Sequence, residues 1–492
     1  MNRVALLLLA SGVALSVISI ENANAVLSGA KSFVVTYFDW LFVAVATGTL
    51  GLVGLLAVHP RANVRLGGEG DLPEFSRFSW FAMLFSAGLA SGLLYWAAAE
   101  PIIHFQPNPL LARDAIEAGT REAARAALRI TIFHWGLHGW GMYVLGGLAI
   151  GIYSYRHGRP LAIRSALYPV LGPRWIDRWP GRLVDLIALL GTVFGVATSA
   201  GLSAAALNAT LHPLTGLPVN SSVQIGLVFL VCFLGMLSAV SGVGRGIRRL
   251  SEVNVWVSAL FLAPILLLGP TLYLLGLLLT STFDYLWALV PMGLWLGSDG
   301  AEKAWQGDWT VFYWGWWLAW MPFVSLFIAR ISKGRSVREF IIAVLGVPTL
   351  VIIVWMVVLG GTALDQELVQ PGSISSAVNQ DYSLGVPVML ANLASAPVAF
   401  GLSITAAFLL FTWLITSLDS ATLVICHLIA KPDVTQQQVL WGVVLAVVTS
   451  TLIWIGGLGA LQAASIVIGL PLAVVTILIG AGVIKDLIVD KL

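Results

Sequence analysis

F-Y-W-G-W-W-L-A-W-M-P-F, residues 312–323, is the stretch that decides the fold. It lies in a segment with no charged side chain between Asp308 and Arg330. Wound as a helix at about 1.5 Å per residue, that segment is about 30 Å long, the thickness of a bilayer's hydrocarbon core. Trp314, Trp317 and Trp320 are spaced by three and step only about 60° around such a helix each time, so they make one aromatic wall. The expectation is a membrane-spanning helix that carries a surface of indoles.

The rest of the chain repeats the pattern. Of 492 residues, 58% are hydrophobic and 10% charged, and the mean hydropathy is +0.91. That leaves too little polar surface to coat a water-soluble body, so the solvent is lipid. Apolar runs near 4–20, 34–57, 79–103, 128–153, 183–206, 222–241, 254–279, 309–330, 340–360, 396–427, 437–457 and 460–486 read as twelve transmembrane helices of an all-α integral membrane protein. The many Gly and Pro residues are compatible with spanning helices, whose neighbours satisfy the freed backbone groups. The shorter stretch 285–296, with Trp287, Pro291 and Trp295, reads as a helix lying at the interface. Cys232 and Cys426 sit in apolar runs without metal or disulfide spacing and read as core. A net charge of +2 gives no nucleic-acid signal. There is no cofactor motif and no nucleophile–base pair, so no enzyme is expected.

Orientation follows from basic loops. Arg156, Arg159, Arg164, Arg174, Arg178 and Arg182, then Arg245, Arg248 and Arg249, then Arg330, Lys333, Arg335 and Arg338 mark faces that should be cytoplasmic. The intervening loops carry acids (Asp284, Asp299, Glu302, Asp308, Asp365, Glu367, Asp381) or, at 208–220, no Lys or Arg. Both termini then lie inside. Asn2-Arg3, an apolar stretch and Ala23-Asn24-Ala25 also have the form of a secretory signal, so composition leaves open whether the first span is retained.

Four constellations carry chemistry. In H-W-G-L-H-G-W-G-M-Y, 134–143, a continuous helix would gather Trp135, Trp140 and Tyr143 within an arc of about 140°. Trp140 and Trp320 lie about 16–18 Å below the outer surface, too deep for the headgroup belt of indoles. Helix packing in membranes favours small residues over indoles. An aromatic box is the alternative, because ring faces attract a permanent cation such as trimethylammonium without a counter-ion. F-S-A-G-L-A-S-G, 85–92, is rich in small residues, which serve either close packing or an opened helix whose backbone at Gly88, Ala90, Ser91 and Gly92 meets a solute. T-S-L-D-S, 416–420, sets Thr416 and Ser417 where they either bond back to their own helix or ligate Na⁺ with carbonyls of the third span. His134 and His138, spaced by four with no third ligand in view, read as packing or water contacts.

The run D-W-T-V-F-Y-W-G-W-W-L-A-W-M-P-F-V-S-L-F-I-A-R-I-S-K-G-R-S-V-R-E-F (308–340) resembles the betaine/choline/carnitine transporters. V-R-L-G-G-E-G-D-L-P-E-F-S-R-F-S-W-F-A-M-L-F-S-A-G (64–88), A-E-P (99–101), H-W-G-L-H-G-W (134–140) and T-S-L-D-S-A (416–421) are similar to the same family. The resemblance implies LeuT-like inverted repeats of spans 3–7 and 8–12, a homotrimer, a retained first span and a bacterial inner membrane. The chain then divides into two leading helices (1–58), a first repeat (59–280), an interfacial connection (281–308) and a second repeat (309–492).

Carried over by motif, Trp135, Trp140, Tyr143, Trp317 and Trp320 resemble a quaternary-ammonium cage. Trp314 and Trp316 resemble neighbours lining the path, and Phe312 and Phe323 flank it. Na⁺ is the implied coupling ion, held by Thr416 and Ser417 side chains and by carbonyls at Ser86, Leu89 and Trp413; no other cofactor is expected. Family members that couple betaine to Na⁺ show G-M-G-I-G where this chain has G-L-A-S-G (88–92). Glycine betaine with Na⁺ is the favoured reading. A Na⁺-independent exchanger of carnitine or betaine and a proton-coupled choline importer are the alternatives. No long charged tail flanks the spans, so tail-borne osmotic control is not expected.

Overall fold

A computed structural model describes residues 2–68, 70–88, 92–240, 244–429 and 434–489. The longer helices are numbered in chain order: α1 Asn2–Ile18, α2 Ile20–Val58, α3 Arg77–Gly88, α4 Gly92–Phe105, α5 Arg121–Trp135, α6 Leu137–His157 and α7 Trp179–Thr215. There follow α8 Ser221–Val240, α9 Gly244–Leu268, α10 Thr271–Gly293, α11 Phe312–Ile331, α12 Val337–Val369, α13 Ala396–Ile429 and α14 Val434–Val483. No strand occurs among the described residues; a lone bridge pairs Arg65 with Ser336.

Among the described residues, seven helices are long and apolar enough to cross a membrane, those of α2, α7, α10, α12, α13, α14 and Gly300–Ile331. The outer face agrees with a lipid solvent. Trp256, Leu260 and Leu267 on α9, and Leu272, Leu279, Phe283 and Trp287 on α10, are all exposed, an apolar band that water would penalise.

The break points differ from a chain of uninterrupted spans, and each has a local cause. The run at 254–279 is two helices, because Pro270 lacks an N–H and forces Gly269 out of the α region; α9 stops at Leu268. Consequently 285–296 is no separate interfacial helix: its first part is the end of α10. The run at 128–153 breaks at Gly136, where the Leu137 N–H donates to the Tyr285 hydroxyl at 2.7 Å. A Cβ at Gly136 would lie 2.6 Å from that hydroxyl, so Tyr285 of α10 occupies the break and caps α6. The runs at 437–457 and 460–486 are two helical stretches, numbered together as α14, that meet at a kink where Gly457 takes φ 53°, a left-handed value that favours glycine. A π turn at Gly307–Val311 leads into α11.

α11 lies at the centre, packed against α6, α7 and α14, while α4 packs against α5 and α12. The two most distinctive motif segments meet each other. Leu66 N donates to Arg335 O at 2.8 Å, Gly334 N to Leu66 O at 2.8 Å and Val337 N to Val64 O at 2.9 Å. Arg335 lies over the Trp80 ring at 4.6 Å and donates to Phe75 O at 2.6 Å, and the Trp80 indole donates to Ser332 at 3.0 Å. This clamp pins the entry of α3 to the exit of α11.

Candidate functional site

Trp317 of α11 is the hub of the aromatic cluster. Its ring centroid lies 4.9 Å from Tyr143, 5.7 Å from Trp140 and 6.4 Å from Trp135. Trp140 meets Tyr143 at 87° and Trp317 at 69°, so these rings stand as the walls of a corner. A rounded cation seated in such a corner has several ring faces within about 6 Å. All four side chains are buried, which removes the water that would otherwise screen the attraction.

The rings are held in place by their indole N–H groups and by glycines. Trp317 donates to His134 O at 2.9 Å, Trp316 to Ser199 Oγ at 3.2 Å, and Trp320 to Gly195 O and Ser199 Oγ, both at 2.9 Å. A Cβ at Gly139 would sit 2.3 Å from the Trp317 ring, and one at Gly92 would sit 2.6 Å from Trp316. The missing side chains are what let the indoles lie on the backbone of α6 and α4. Gly139→Ala is therefore expected to destabilise the fold by about 1–3 kcal/mol and to weaken quaternary-ammonium affinity about tenfold, because the ring must move. Thermal unfolding and a binding titration check the two effects separately; unchanged affinity would mean that the ring's position is immaterial.

Not every residue singled out in sequence joins this corner. Trp135 ends α5 and Trp140 lies on α6, so the two do not share one helix face; Trp317 unites them instead. Trp314 faces the other way, 5.3 Å from Phe133 and stacked on His138 at 5.6 Å, and none of its ring contacts among the described residues reaches Trp140 or Tyr143. Trp316 stacks on Phe312 at 5.6 Å and meets Trp135 at 5.6 Å, while Trp320 is half-buried against Phe323 at 5.1 Å. Leu89, Ala90 and Ser91 lie outside the described residues; Gly88 ends α3 and Gly92 starts α4.

Of the expected Na⁺ ligands, Thr416 donates to Thr412 O and Trp413 O, both at 3.0 Å. Thr416 Oγ1 and Trp413 O thus lie side by side, and both are hard oxygen donors that suit an alkali cation. No described hydrogen bond links them to α3, where Ser86 sits in the last turns.

Two groups of residues escaped sequence reading. Ser199 on α7, which takes both Trp316 and Trp320, sits in a run of small residues that looks like helix packing. The second group surrounds Glu100 on α4, which is fully buried with His104 and His134. Glu100 Oε2 accepts from the Trp135 indole at 2.8 Å and the Tyr313 hydroxyl at 2.5 Å, and Oε1 lies 2.7 Å from His134 Nδ1. His134 therefore has acidic company that spacing alone did not reveal. The available signal was Glu100 itself, a lone acid in an apolar span, since intramembrane ionisable groups are functional by default.

A cleft of 460 Å³ is lined by Tyr95, Gln224, Asn379, Asp381, Tyr382 and neighbours. The Tyr382 ring contacts Trp96 at 5.5 Å, and Trp96 contacts Tyr313 at 6.1 Å, so a line of rings runs from the cleft toward Trp135.

The family model described as betaine/carnitine/choline family transporter matches residues 2–492. Glycine betaine transporter 1 of Vibrio parahaemolyticus is 40% identical over 92% of this chain and 85% of its own length. Glycine betaine transporter OpuD of Bacillus subtilis is 37% identical over 97% of this chain and 92% of its own length. The osmo-dependent choline transporter BetT2 of Acinetobacter baylyi is 38% identical over 94% and 68%. Among solved structures, a Na⁺-coupled sialic acid symporter aligns with TM-score 0.45 and 14% identity, covering 84% of this chain and 80% of that one; a likeness that remote has no bearing on the fold.

Proposed function

This chain belongs to the betaine/carnitine/choline family of transporters, and from that premise we propose that it imports a small quaternary-ammonium solute, glycine betaine foremost, by Na⁺-coupled alternating access. It is a multi-pass membrane transporter and not an enzyme. The observation that carries the solute class is the corner of Trp140, Tyr143, Trp317 and Trp135, four buried rings from α5, α6 and α11. A trimethylammonium group has no N–H to satisfy and sheds its loose hydration cheaply, so ring faces suffice to hold it.

The rest of the reading follows from the resemblance and the placement of residues. The solute enters through the cleft at Asp381 and Tyr382, passes Trp96 and Trp316, and seats its head in the corner while Trp320 and Phe323 flank the inner side. Thr416, Ser417 and the Trp413 carbonyl, with carbonyls at Ser86 and Leu89, are assigned to Na⁺, which supplies the electrochemical drive. Two five-helix repeats rock against each other, within twelve spans whose termini are both cytoplasmic, in a trimer of a bacterial inner membrane.

The test is uptake of radiolabelled glycine betaine into proteoliposomes with and without an inward Na⁺ gradient. Thr416→Ala with Ser417→Ala should abolish the stimulation by Na⁺, at least about tenfold, and leave exchange of internal for external solute. Uptake that ignores Na⁺ in the unaltered protein but speeds up with internal solute would replace symport by exchange.

A further inference from the structure

We propose that Glu100, His104 and His134 form a proton-binding site, and that solute seated in the aromatic corner expels the proton. The site stands on its own geometry; the link to solute rests on the transport reading above.

All three side chains are completely buried, and their ligand atoms lie within 4.8 Å of one another. A metal does not suit the spacing. His134 Nδ1 and Glu100 Oε1 are 2.7 Å apart, a hydrogen-bond length, whereas ligands at about 2.0 Å around a tetrahedral metal stand about 3.3 Å from one another. The cluster is gathered around hydrogens.

In the proposal each of those hydrogens has an assigned place. An indole N–H can only donate, and in the proposed site Oε2 accepts from both Trp135 and Tyr313 and is left without a proton. The proposed tautomer of His134 has Nδ1, 2.7 Å from Oε1, donate to it, and Nε2, 3.1 Å from Thr310 Oγ1, accept from that hydroxyl. His134 is then neutral and fully partnered. His104 is different. Its Nε2 is 3.4 Å from Glu100 Oε1, too loosely aligned to bond, and its Nδ1 has no partner. A proton taken from water onto His104 makes an imidazolium whose Nε2–H closes onto Oε1.

Among the described residues no Lys or Arg is placed to balance the carboxylate. The neighbours facing the cluster are Tyr313 of α11, Trp305 and Trp309 before it, and, beyond Trp96 and Trp309, Tyr382. Tyr95 lies on α4 itself. On α6, His138 stacks on Trp314. On α5, Arg129 is paired with Asp114. α12, packed against α4, carries charge only near its two ends, Arg338 and Glu339 at one and Asp365 and Glu367 at the other. Among the described residues no Lys or Arg forms an ion pair with Glu100. The imidazole of His104 is the group left to neutralise it.

The cluster is joined to the corner by two bonds. Trp135, one wall, donates to Glu100, and Trp317, the hub, donates to the carbonyl of His134. With the proton bound, Glu100 and His104 are a neutral ion pair. Without it the site is a buried anion beside the corner, which favours a quaternary cation there. Proton and solute therefore bind antagonistically, and by linkage each weakens the other.

Two readouts on purified protein test this. The first needs no solute: pH-difference infrared spectra between about pH 5 and pH 9, the range in which a histidine changes charge. The unaltered protein should show one more imidazole protonation band than His104→Gln; identical difference spectra for the two proteins would overturn the site. The second adds glycine betaine to weakly buffered protein with a pH dye. The unaltered protein should release protons and bind about tenfold more tightly at the upper end of that range. His104→Gln and Glu100→Gln should bind with no proton release and a flat pH profile. Binding without proton release in the unaltered protein would sink the link, as would variants whose binding keeps the pH profile of the unaltered protein. If glycine betaine does not bind at any pH while the infrared band is present, the transport reading fails and the proton site stands.

Discussion

Trp317→Leu should lower the apparent affinity for glycine betaine about 30-fold or more, as expected when a desolvated cation loses a ring worth about 2 kcal/mol. Three geometric facts make Trp317 the residue with the largest effect. Among the described residues its ring alone meets Trp135, Trp140 and Tyr143. Its N–H is tied to His134 O, so its ring face is fixed rather than sought by the solute. Gly139 leaves the space in which the ring lies. Trp317→Phe keeps a ring and should lose only about threefold. Trp314→Leu is the informative comparison, because the same residue type three positions earlier faces Phe133 and His138 instead. It should lower stability while affinity stays within about threefold. A titration following tryptophan fluorescence, run beside thermal unfolding, separates the two. Equal losses of affinity at 314 and 317 would mean that bulk packing, and not the corner, sets binding.

The second large effect is on stability. Glu100→Ala removes the acceptor for the Trp135 indole, the Tyr313 hydroxyl and His134 Nδ1 at once. The Tyr313 hydroxyl and His134 Nδ1 lose their described acceptor, at about 1–3 kcal/mol apiece, while the Trp135 indole keeps only its 3.2 Å bond to the Tyr313 oxygen; loss of one partner from a buried charged network typically costs about 3–5 kcal/mol. An apparent melting temperature lower by about 8 °C in detergent follows, with Glu100→Gln restoring part of it because the amide oxygen still accepts. A Glu100→Ala protein that melts with the unaltered one would show that these bonds do not hold α4, α5 and α11 together.

How much of this was legible in sequence depends on the scale at which each feature is encoded. The spans around 183–206, 309–330, 340–360 and 396–427 were plain, since a bilayer demands a long apolar run and nothing else in a chain imitates it. Helix breaks were harder. Gly136 interrupts its span because Tyr285, far away in sequence, caps the new helix, and no local pattern announces a partner so distant. Gly269-Pro270 is a break signal inside the apolar run 254–279, but spanning helices also tolerate such pairs, so hydropathy alone does not divide the run. The indoles were found because tryptophan at mid-membrane depth is out of place as a belt residue. Their orientations were not, and helical spacing grouped Trp314 with Trp317 although the two rings point apart. Glu100 stood in a motif used only as a family marker; that it meets His134 depends on α4 and α5 packing side by side, which spacing cannot express. The clamp between 64–66 and 334–337 joins two of the segments that carry the family resemblance: they share backbone partners, and Arg335 lies over Trp80.

One measurement tests the central claim most directly, that a cage of rings selects and carries a quaternary ammonium. It is uptake of radiolabelled glycine betaine into proteoliposomes, challenged with excess unlabelled choline or excess unlabelled glycine. The account predicts saturable uptake that choline suppresses and glycine leaves untouched, since glycine's ammonium keeps its strongly held water and gains little from ring faces. Uptake no greater than in protein-free liposomes, or suppression by glycine as strong as by choline, would contradict it.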